Sequence, residues 1–355
     1  MSVPDHLSLA SDTTPVLSEV GWDALPITNG TTTENTSKHQ PYRALRIQKP
    51  TPSSCYCITV LENLGLIAVG GALNKQKGVV FLYDYKHQHK LVAIRQTHET
   101  QTVKMRYIPE FKWLITTGYD KTVRLLDLKC SLRQRKTLTS NFDGMIFVEY
   151  NINRNLFITG DYTNIVQIFE LDTFKKIDEI VLDTVWVCHV QYFEQKDIIF
   201  MYSSVDEIKF YNWPSKTLYG RFQLMDRCNS LTLLQMPNQV IIPNDSGDMV
   251  FLEFNETFLS WTETSRRRYA GYDAFYAAGK DNMKYLLLTF TRGKNQYAVK
   301  VMDRTTMVEN LQGDIYIDSE TILRCYNLSE KMFVVGDDKG ISIYGIKETP
   351  PMAHD

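Results

Sequence analysis

The amino-acid sequence predicts an all-β protein. Helical periodicity is absent over any long window, whereas short apolar segments with an alternating pattern recur from about residue 42 onward. Each recurring unit contains an apolar strand, a polar turn that usually holds Gly, Asp or Asn, and a second alternating strand. The seven units are residues 66–84, 114–127, 156–170, 198–212, 240–253, 285–303 and 332–345. Because an isolated hairpin of this size is marginal in water, the units must stabilise one another.

The second strand of each unit ends at a position that repeats along the chain. These end positions are Asp84, Asp127, Glu170, Asn212, Glu253, Asp303 and Gly345, at intervals of 43, 43, 42, 41, 50 and 42 residues. A period near 40–45 residues with about four short strands per unit is the signature of a propeller blade. The sequence therefore predicts a single seven-bladed β-propeller, in which strands a to d of each blade run from the innermost to the outermost.

The remaining segments of each period supply the other two strands. Apolar segments precede the hairpins at 102–108, 144–151, 185–193 and 230–236, and further strands follow them at 90–96, 136–140, 174–182 and 216–224. The last unit has no such follower, because Pro350 and Pro351 disfavour a strand. We expect the alternating segment 42–49 to complete the last blade, so that an N-terminal strand closes the ring and removes its exposed edges.

The composition divides the chain into three parts. Residues 1–41 are rich in Ser, Thr and Asn and poor in apolar residues, which predicts a flexible tail. Within this tail, residues 16–27 (VLSEVGWDALPI) are apolar enough either to dock on a partner or to fold against the protein's own domain. Residues 42–346 form the predicted propeller, and residues 347–355 form a short C-terminal tail.

Overall composition limits the class of function. The chain has 355 residues, 43% of them hydrophobic, and a net charge of −2, so a nucleic acid is not expected as the main partner. No secretory signal and no apolar run of about 20 residues is present, which predicts no membrane insertion and an intracellular location, cytoplasmic or nuclear. Six cysteines occur without a CxxC pair, and Cys55 and Cys57 are expected on one face of a strand. We expect no metal and no cofactor.

The second unit resembles the WD-repeat pattern nearly position by position, and the resemblance covers about residues 42 to 346. The matching positions are His98 with Thr97 before it, Pro109 in the a–b turn, Thr116 in strand b, Asp120 in the b–c turn, and Leu126-Asp127 at the Trp-Asp position. In that family, hydrogen bonds link the turn Asp, the His, the Ser/Thr and the Trp within a blade. The resemblance implies that His98 and Asp120 form a structural hydrogen-bond pair and not a catalytic dyad.

The other units depart from this pattern. The Trp position holds Leu126, Phe169, Tyr211, Leu252 and Met302. Asn141 and Asp183 fall near the His position in the third and fourth units, and Asp338 keeps the turn Asp in the last. The full hydrogen-bond network is therefore not expected in any blade, and the divergent blades must depend on packing.

The resemblance also implies where partners dock, namely on the face formed by the d–a and b–c loops. On that face the sequence places Tyr119, Phe142, Tyr162, Trp186, Asp226 and Arg227. Aromatic and Arg side chains dominate interface energy, although Phe142 and Trp186 could equally belong to the core. The one basic run, Arg266, Arg267 and Arg268, is either a contact for a phosphorylated or acidic peptide or a solvated turn.

These observations favour binding over catalysis. The sequence contains no G-x-S-x-G, H-E-x-x-H or Walker motif. We expect a non-enzymatic scaffold or adaptor that binds other proteins or peptides within a multiprotein complex. The alternative is a reader of a modified or acidic peptide at the propeller face. A hydrolase or isomerase acting in the central channel is the third hypothesis, and it would require convergent acidic or His side chains at the channel mouth.

Overall fold

The structure is a computed structural model, and it describes the following parts of the chain. These are residues 44–47, 54–73, 76–86, 90–130, 132–139, 145–161, 163–183, 187–193, 197–203, 207–224, 232–233, 239–243, 248–255, 260–269, 274–278, 284–291, 295–303, 315–318, 324–329, 332–337 and 340–345. Both predicted tails, 1–41 and 347–355, lie outside the described residues, and so does Asp338.

The described residues form 28 strands and two single 3-10 turns, Glu62–Leu64 and Leu128–Cys130, and contain no α-helix. The strands are β1 (Ala44–Ile47), β2 (Ser54–Leu61), β3 (Leu66–Leu73), β4 (Lys77–Asp84), β5 (Lys90–His98), β6 (Thr102–Ile108), β7 (Trp113–Gly118), β8 (Thr122–Asp127), β9 (Arg133–Thr139), β10 (Met145–Asn151), β11 (Leu156–Asp161), β12 (Ile165–Glu170), β13 (Lys176–Val181), β14 (Val187–Phe193), β15 (Ile198–Ser203), β16 (Glu207–Asn212), β17 (Thr217–Gln223), β18 (Thr232–Leu233), β19 (Gln239–Pro243), β20 (Asp248–Asn255), β21 (Ser260–Arg268), β22 (Ala274–Ala278), β23 (Tyr285–Thr291), β24 (Gln296–Asp303), β25 (Ile315–Asp318), β26 (Arg324–Ser329), β27 (Met332–Asp337) and β28 (Gly340–Gly345).

The strands pair into seven four-stranded antiparallel sheets, one for each repeat unit of the sequence. Sheets 1 to 6 contain four consecutive strands each, from β2–β5 through β22–β25. Sheet 7 contains β26–β28 and, as its outer strand, β1. Each predicted hairpin forms the two middle strands of its sheet, because those segments carry the most continuous apolar sequence. The all-β prediction is confirmed.

The N-terminal strand β1 completes sheet 7. It pairs with β28 in antiparallel register, with Ala44 opposite Tyr344 and Ile47 opposite Ile341. The prediction that residues 42–49 supply the missing outer strand is confirmed for the described residues 44–47. The N-terminal segment is therefore joined to the last repeat by backbone hydrogen bonds, and the last repeat packs against the first through side chains.

The hydrophobic core consists of seven clusters, each of which lies between two consecutive sheets. Between sheets 1 and 2, for example, Leu82 packs with Leu126. The series ends where Val334 and Ile343 of sheet 7 pack with Val69 of sheet 1. Every sheet thus buries both faces against its neighbours, and the sheets are arranged as a β-propeller, as the repeat period predicted.

A β-bulge at the start of the inner strand recurs in sheets 1 to 4. The pairing register shifts between Cys55 and Cys57, Thr102 and Lys104, Met145 and Phe147, and Val187 and His189. Because a bulge inserts one unpaired residue, side chains two positions apart no longer share a face. Cys55 accordingly packs between sheets 7 and 1, whereas Cys57 packs between sheets 1 and 2. The expectation that the two cysteines share one face was wrong.

A second bulge recurs on the outer strands of sheets 1 to 5. In each of these sheets one residue of the outer strand is skipped in the pairing register, namely Val92, Arg135, Ile177, Tyr219 and Thr264. The bulge turns Val92 and Ile177 toward solvent, which explains why these aliphatic side chains are exposed. A bulged edge is a poor template for another strand, so these five edges are protected from edge-to-edge association.

Candidate functional site

The most extensive hydrogen-bonded group in the described residues surrounds His98, at the end of β5. Its ring joins sheet 1 to sheet 2: Nδ1 lies 2.9 Å from Asp120 Oδ1, and Nε2 lies 2.9 Å from Thr116 Oγ1. Thr122 Oγ1 also lies 3.0 Å from Nδ1. The structure therefore brings together His98 and Asp120, the two residues that the sequence pairs. With Thr116, Thr122 and Arg124 they form what we call the His98 cluster.

Asp120 fixes the turn between β7 and β8. Its carboxylate accepts hydrogen bonds from the Glu99 backbone N–H at 2.9 Å, the Thr122 backbone N–H at 3.2 Å and the Thr122 hydroxyl at 2.8 Å. The Arg124 guanidinium lies 3.4 Å from the second carboxylate oxygen. One carboxylate thus binds both the preceding loop and its own turn. Thr122 and Arg124 were not identified from the sequence.

Gly118 is required by the packing of His98. A Cβ atom built at this position would lie 2.6 Å from His98 Cγ and 2.8 Å from Asp120 Oδ1, which is closer than real Cβ contacts. The last residue of β7 can therefore be only glycine without displacement of the ring. This close approach places the imidazole within hydrogen-bond distance of both Asp120 and Thr116.

Burial and hydrogen bonding set the charge states of His98 and Asp120. Burial lowers the pKa of His98, although Asp120 acts in the opposite direction, so the ring is neutral at physiological pH. Burial alone would raise the pKa of Asp120, but hydrogen bonds from His98, the Glu99 N–H and Thr122 lower it to about 2. The neutral ring donates from Nδ1 to the Asp120 carboxylate, and Nε2 accepts the Thr116 hydroxyl proton.

Stability is expected to fall as the solution becomes acidic. The folded-state pKa of His98 lies below the ordinary value of 6.5, so below pH 6.5 the unfolded chain binds more protons. The loss should reach at most about 1.4 kcal/mol per pH unit. Asp120 adds a further loss as the pH falls from 3.8 toward about 2.

The measurement is the free energy of unfolding between pH 7.5 and 5 for the wild type and for His98→Gln. Removal of the titrating ring should flatten the pH dependence below 6.5. If both proteins showed the same slope, His98 would not be the responsible group. Glu110→Gln, in the exposed turn between β6 and β7, serves as a control that replaces an acidic side chain outside the cluster.

The order Thr116–His98–Asp120 is that of a hydrolase triad, with a hydroxyl, an imidazole and a carboxylate in sequence. A nucleophile must reach its substrate, however, and Thr116 and His98 are both 0% exposed. A hydroxyl enclosed between two sheets cannot attack an external carbonyl. The arrangement acts as a clamp between sheets 1 and 2, and it orders the turn that Asp120 occupies.

That turn presents Tyr119, the described member of the predicted docking face. The Tyr119 backbone N–H donates to the Gln101 carbonyl at 3.3 Å, and the Lys121 N–H donates to the Gly118 carbonyl at 3.2 Å. The side chain is 39% exposed. Tyr119 thus combines a fixed backbone with a solvent-facing ring. The other predicted members lie outside the described residues, namely Phe142, Tyr162, Trp186, Asp226 and Arg227.

In sheet 4 a lysine occupies the position that Arg124 holds in sheet 2. Both residues lie three positions before the end of a repeat, and each pairs with the second strand of its sheet. Lys209 is buried and forms ion pairs with Asp183 and, at 3.3 Å, with Glu207. Hydrogen bonds from Lys209 and Arg221 hold the pKa of Asp183 at about 2, although this carboxylate is 59% exposed. Asp183 is the residue that the sequence placed near the His position.

The residue three positions before the repeat end differs again in sheets 3 and 6. In sheet 6 the Lys300 ammonium lies 5.8 Å from the ring centroid of Tyr269, the residue that follows β21. In sheet 3, Thr159 Oγ1 and Gln167 Oε1 have no hydrogen-bond partner among the described residues. This position is therefore occupied by different side chains with different partners in sheets 2, 3, 4 and 6. The signal in the sequence was the spacing, because Lys209 and Lys300 precede repeat ends by three residues, as Arg124 does.

The predicted basic run lies on the outer strand β21, so its assignment to a turn was wrong, although Arg267 and Arg268 are exposed to solvent. Two of its guanidinium groups have intramolecular partners: Arg268 Nε donates to Asp248 at 2.9 Å, and Arg266 bonds Glu263 at 3.0 Å and Asp248 at 3.3 Å. Arg267 lies 5.7 Å from the Phe251 ring centroid. Pairing with Asp248 and Glu263 reduces the positive charge that an anionic peptide would meet.

Comparison with known proteins establishes the fold. The WD40 repeats of RRP9 superpose with a TM-score of 0.69 over 85% of this chain and 97% of that structure, at 10% identity. The Cps50 (Swd1) β-propeller domain from Myceliophteria thermophila gives 0.69 over 85% and 98%, at 8% identity. The fold is a WD40-type β-propeller.

Relatives found by sequence match a smaller part of the chain. A WD repeat-containing protein 55 homolog from Drosophila ananassae is 22% identical over 174 residues, which cover 48% of this chain and 36% of that protein. The homolog from Drosophila erecta is 28% identical over 104 residues, 29% of this chain and 21% of that protein. The chain thus spans about a third or less of the length of these curated relatives. No family model matches the sequence.

Within the described part of the propeller, no group of three or more His, Cys, Asp or Glu side chains is placed to hold a metal ion. Nor does that part include a helix of the length and apolar character that a membrane span requires.

Proposed function

We propose that the protein is a non-enzymatic interaction scaffold in a multiprotein assembly, built as a single seven-bladed ring of the divergent WD-repeat type. Its partners are other proteins or peptides and not, in the main, nucleic acid. We further propose an intracellular location. The fold and the distant WD-repeat relatives support this assignment.

The single observation that carries the proposal is the way in which Tyr119 is presented. Asp120 binds the Thr122 N–H within the turn and the Glu99 N–H in the loop after β5, so the backbone beside Tyr119 is already ordered before a partner arrives. A half-exposed aromatic ring on a rigid turn is the kind of side chain that dominates interface energy. The buried His98 cluster thereby orders the turn that carries the exposed Tyr119, the residue proposed to bind a partner.

The two alternatives have less support. Catalysis by the His98 cluster would require access to Thr116, which is enclosed between sheets 1 and 2. Recognition of an acidic or phosphorylated peptide by the outer strand would require Arg266 and Arg268 to exchange the carboxylates that they already bind. Exchange of one carboxylate for another gains little, because the new pair replaces an existing one.

Affinity purification of the tagged full-length chain tests the scaffold assignment. We expect Tyr119→Ala to lose a defined subset of co-purifying proteins, while the thermal melting curve stays that of the wild type. The matched control is Val181→Ala, which truncates a 62% exposed side chain on the outer strand of sheet 3. Recovery of undiminished partners by Tyr119→Ala would exclude this turn as the docking face.

A further inference from the structure

The turns that join the third and fourth strands of sheets 1 and 2 carry the same arrangement of charges. In sheet 1 the carboxylate of Asp84 accepts the backbone N–H of Lys86 at 2.9 Å. In sheet 2 the carboxylate of Asp127 accepts that of Lys129 at 2.8 Å. The residue opposite each aspartate, at the start of the outer strand, is also basic in both sheets, namely Lys90 and Arg133. The two aspartates therefore order the backbone that carries a repeated set of cations.

These cations are exposed and lack partners. The set, which we call the basic stripe, consists of Lys86, Lys90, Lys129 and Arg133. None of the four side chains forms a hydrogen bond or an ion pair with another described residue. Arg135, on the same outer strand as Arg133, is 51% exposed and extends the stripe, although its Nε donates to Asp127 at 2.6 Å. Positive charge along this edge is therefore available to a ligand.

The carboxylates beside the stripe leave most of its charge unbalanced. Three of them are buried or half-buried, namely Asp127, Asp84 and Glu62. The turn between β6 and β7 also contacts this edge, because the Lys112 carbonyl accepts the Leu128 N–H at 3.1 Å. That turn contains an exposed carboxylate, Glu110, but Lys112 offsets its charge.

The stripe ends at sheet 3. In the corresponding turn of that sheet the exposed Asp172 takes the position of the two stripe lysines, and its charge opposes that of Lys175 in the same turn. In sheet 4, Lys216 is bonded to Asp178 at 2.9 Å. Among the described residues of these four turns, the unbalanced positive charge is therefore confined to sheets 1 and 2.

An acidic peptide fits this edge better than a nucleic acid does. Single positive charges distributed over two neighbouring sheets match carboxylates distributed along an extended chain. Binding of a single-stranded nucleic acid also requires aromatic rings on which bases can stack. The rings beside the stripe, Tyr85 and Trp113, instead pack against the core clusters. The net charge of −2 further opposes association of the whole chain with a large polyanion.

We propose that the basic stripe binds an extended acidic segment of a partner protein. The inference rests on the proposed scaffold function, for which it names one class of partner and a second docking surface. Carboxylates of the segment pair with the ammonium groups and with the Arg133 guanidinium, and no existing ion pair of the four stripe residues has to break. The stripe lies at the opposite end of β8 from the Tyr119 turn, so the two surfaces are available to different partners.

Fluorescence anisotropy with the full-length chain in about 0.1 M salt tests this proposal. The probe is a labelled peptide of alternating glutamate and serine, about 12 residues long and so about 40 Å when extended. An alternating lysine and serine peptide is the charge control, and an oligothymidine of similar length tests nucleic acid. We expect a dissociation constant of about 100 μM or tighter for the acidic peptide and no measurable binding of the basic one. About 0.5 M salt should weaken the acidic complex tenfold or more, because it screens exposed charges.

Charge reversal locates the binding surface. Lys129→Glu combined with Arg133→Glu should weaken binding of the acidic peptide about tenfold or more, because two attractive contacts become repulsive. Lys86→Glu combined with Lys90→Glu should act similarly and gives an independent test in sheet 1. All four positions are exposed, so the melting temperature should stay within about 2 °C of the wild type.

The matched control combines Lys176→Glu with Lys216→Glu. It changes the net charge by the same amount, at exposed residues of sheets 3 and 4 that already bind carboxylates. Binding should change less than about threefold, because charges farther apart than about 10 Å are largely screened in this salt. The proposal is overturned if the acidic peptide does not bind, if the stripe variants bind it as the wild type does, if the control loses as much, or if the oligonucleotide binds more tightly.

These outcomes are separable from failure of the scaffold assignment. If Tyr119→Ala loses partners while the acidic peptide shows no dependence on the stripe, the scaffold stands and the stripe proposal fails. If the peptide binds through the stripe while the Tyr119 turn proves dispensable, the stripe proposal stands and the docking face proposed for Tyr119 fails.

Discussion

Replacing His98 by alanine is expected to lower the free energy of unfolding by about 3 kcal/mol, because it removes a buried partner of a carboxylate and a hydroxyl at once. Asp120 would lose its bond from Nδ1, and Thr116 would lose its acceptor at Nε2. Both groups lie in the junction between sheets 1 and 2, where water cannot readily replace the ring. A cavity of imidazole size adds to the loss.

The measurement is urea-induced unfolding of the wild type and of His98→Ala at pH 7.5. Thr97→Ala is the matched control, because Thr97 is equally buried but makes only a neutral hydrogen bond, 2.8 Å from Thr102 Oγ1. That variant should cost about 1 kcal/mol. In a double-mutant cycle with Asp120→Ala, the coupling energy should exceed about 1 kcal/mol. Equal costs for both single variants, or strict additivity in the cycle, would contradict the clamp described here.

Deleting residues 42–49 is expected to lower the melting temperature by about 10 °C, since it removes a whole strand from sheet 7 and costs several kcal/mol. The deletion leaves β28 as the edge of that sheet. Ile341 and Ile343, now buried beside sheet 1, would border an unpaired backbone. An exposed, regular edge next to apolar side chains promotes association, so aggregation should increase with protein concentration.

Differential scanning calorimetry and light scattering on the full chain measure both effects. The control is deletion of residues 1–41 alone, which leaves β1 in place and should leave the melting temperature within about 2 °C of the wild type. Adding a synthetic peptide of residues 42–49 to the shortened protein should recover part of the lost stability. A deletion variant as stable as the control would show that pairing of β1 with β28 contributes little to the fold.

The architecture was largely readable from the sequence because it depends on a repeated pattern. The middle strands of each sheet are continuous apolar segments, and their ends recur at a nearly constant interval. An uncertain strand boundary in one unit can therefore be placed by comparison with the other units. The predicted strand 102–108 and the observed β6 (Thr102–Ile108) coincide. Segment 136–140 was placed less well, because β9 begins at Arg133 within a polar stretch that gives no apolar signal.

The bulges could not be predicted from the same pattern. Alternation assigns every second residue to one face, but a bulge shifts this assignment by one residue without any compositional mark. This is why Cys55 and Cys57 face different junctions. The buried Lys209 was missed for a related reason, since a lysine in a strand pattern is ordinarily assigned to solvent, and its carboxylate partner Asp183 lies 26 residues away in the sequence.

The variety of side chains at the sheet junctions has a consequence for how the chain reaches its native order. Similar repeats can misassemble by docking on the wrong neighbour. Here sheet 4 receives a carboxylate, Asp183, from the segment that follows β13 of sheet 3, and without it the buried Lys209 would keep only Glu207 of its own strand as an ion-pair partner. Sheet 6 offers Lys300 to an aromatic ring, and sheet 2 needs the imidazole of His98. These three junctions therefore penalise a substitute neighbour, so that side-chain chemistry as well as chain connectivity favours the native order of the sheets.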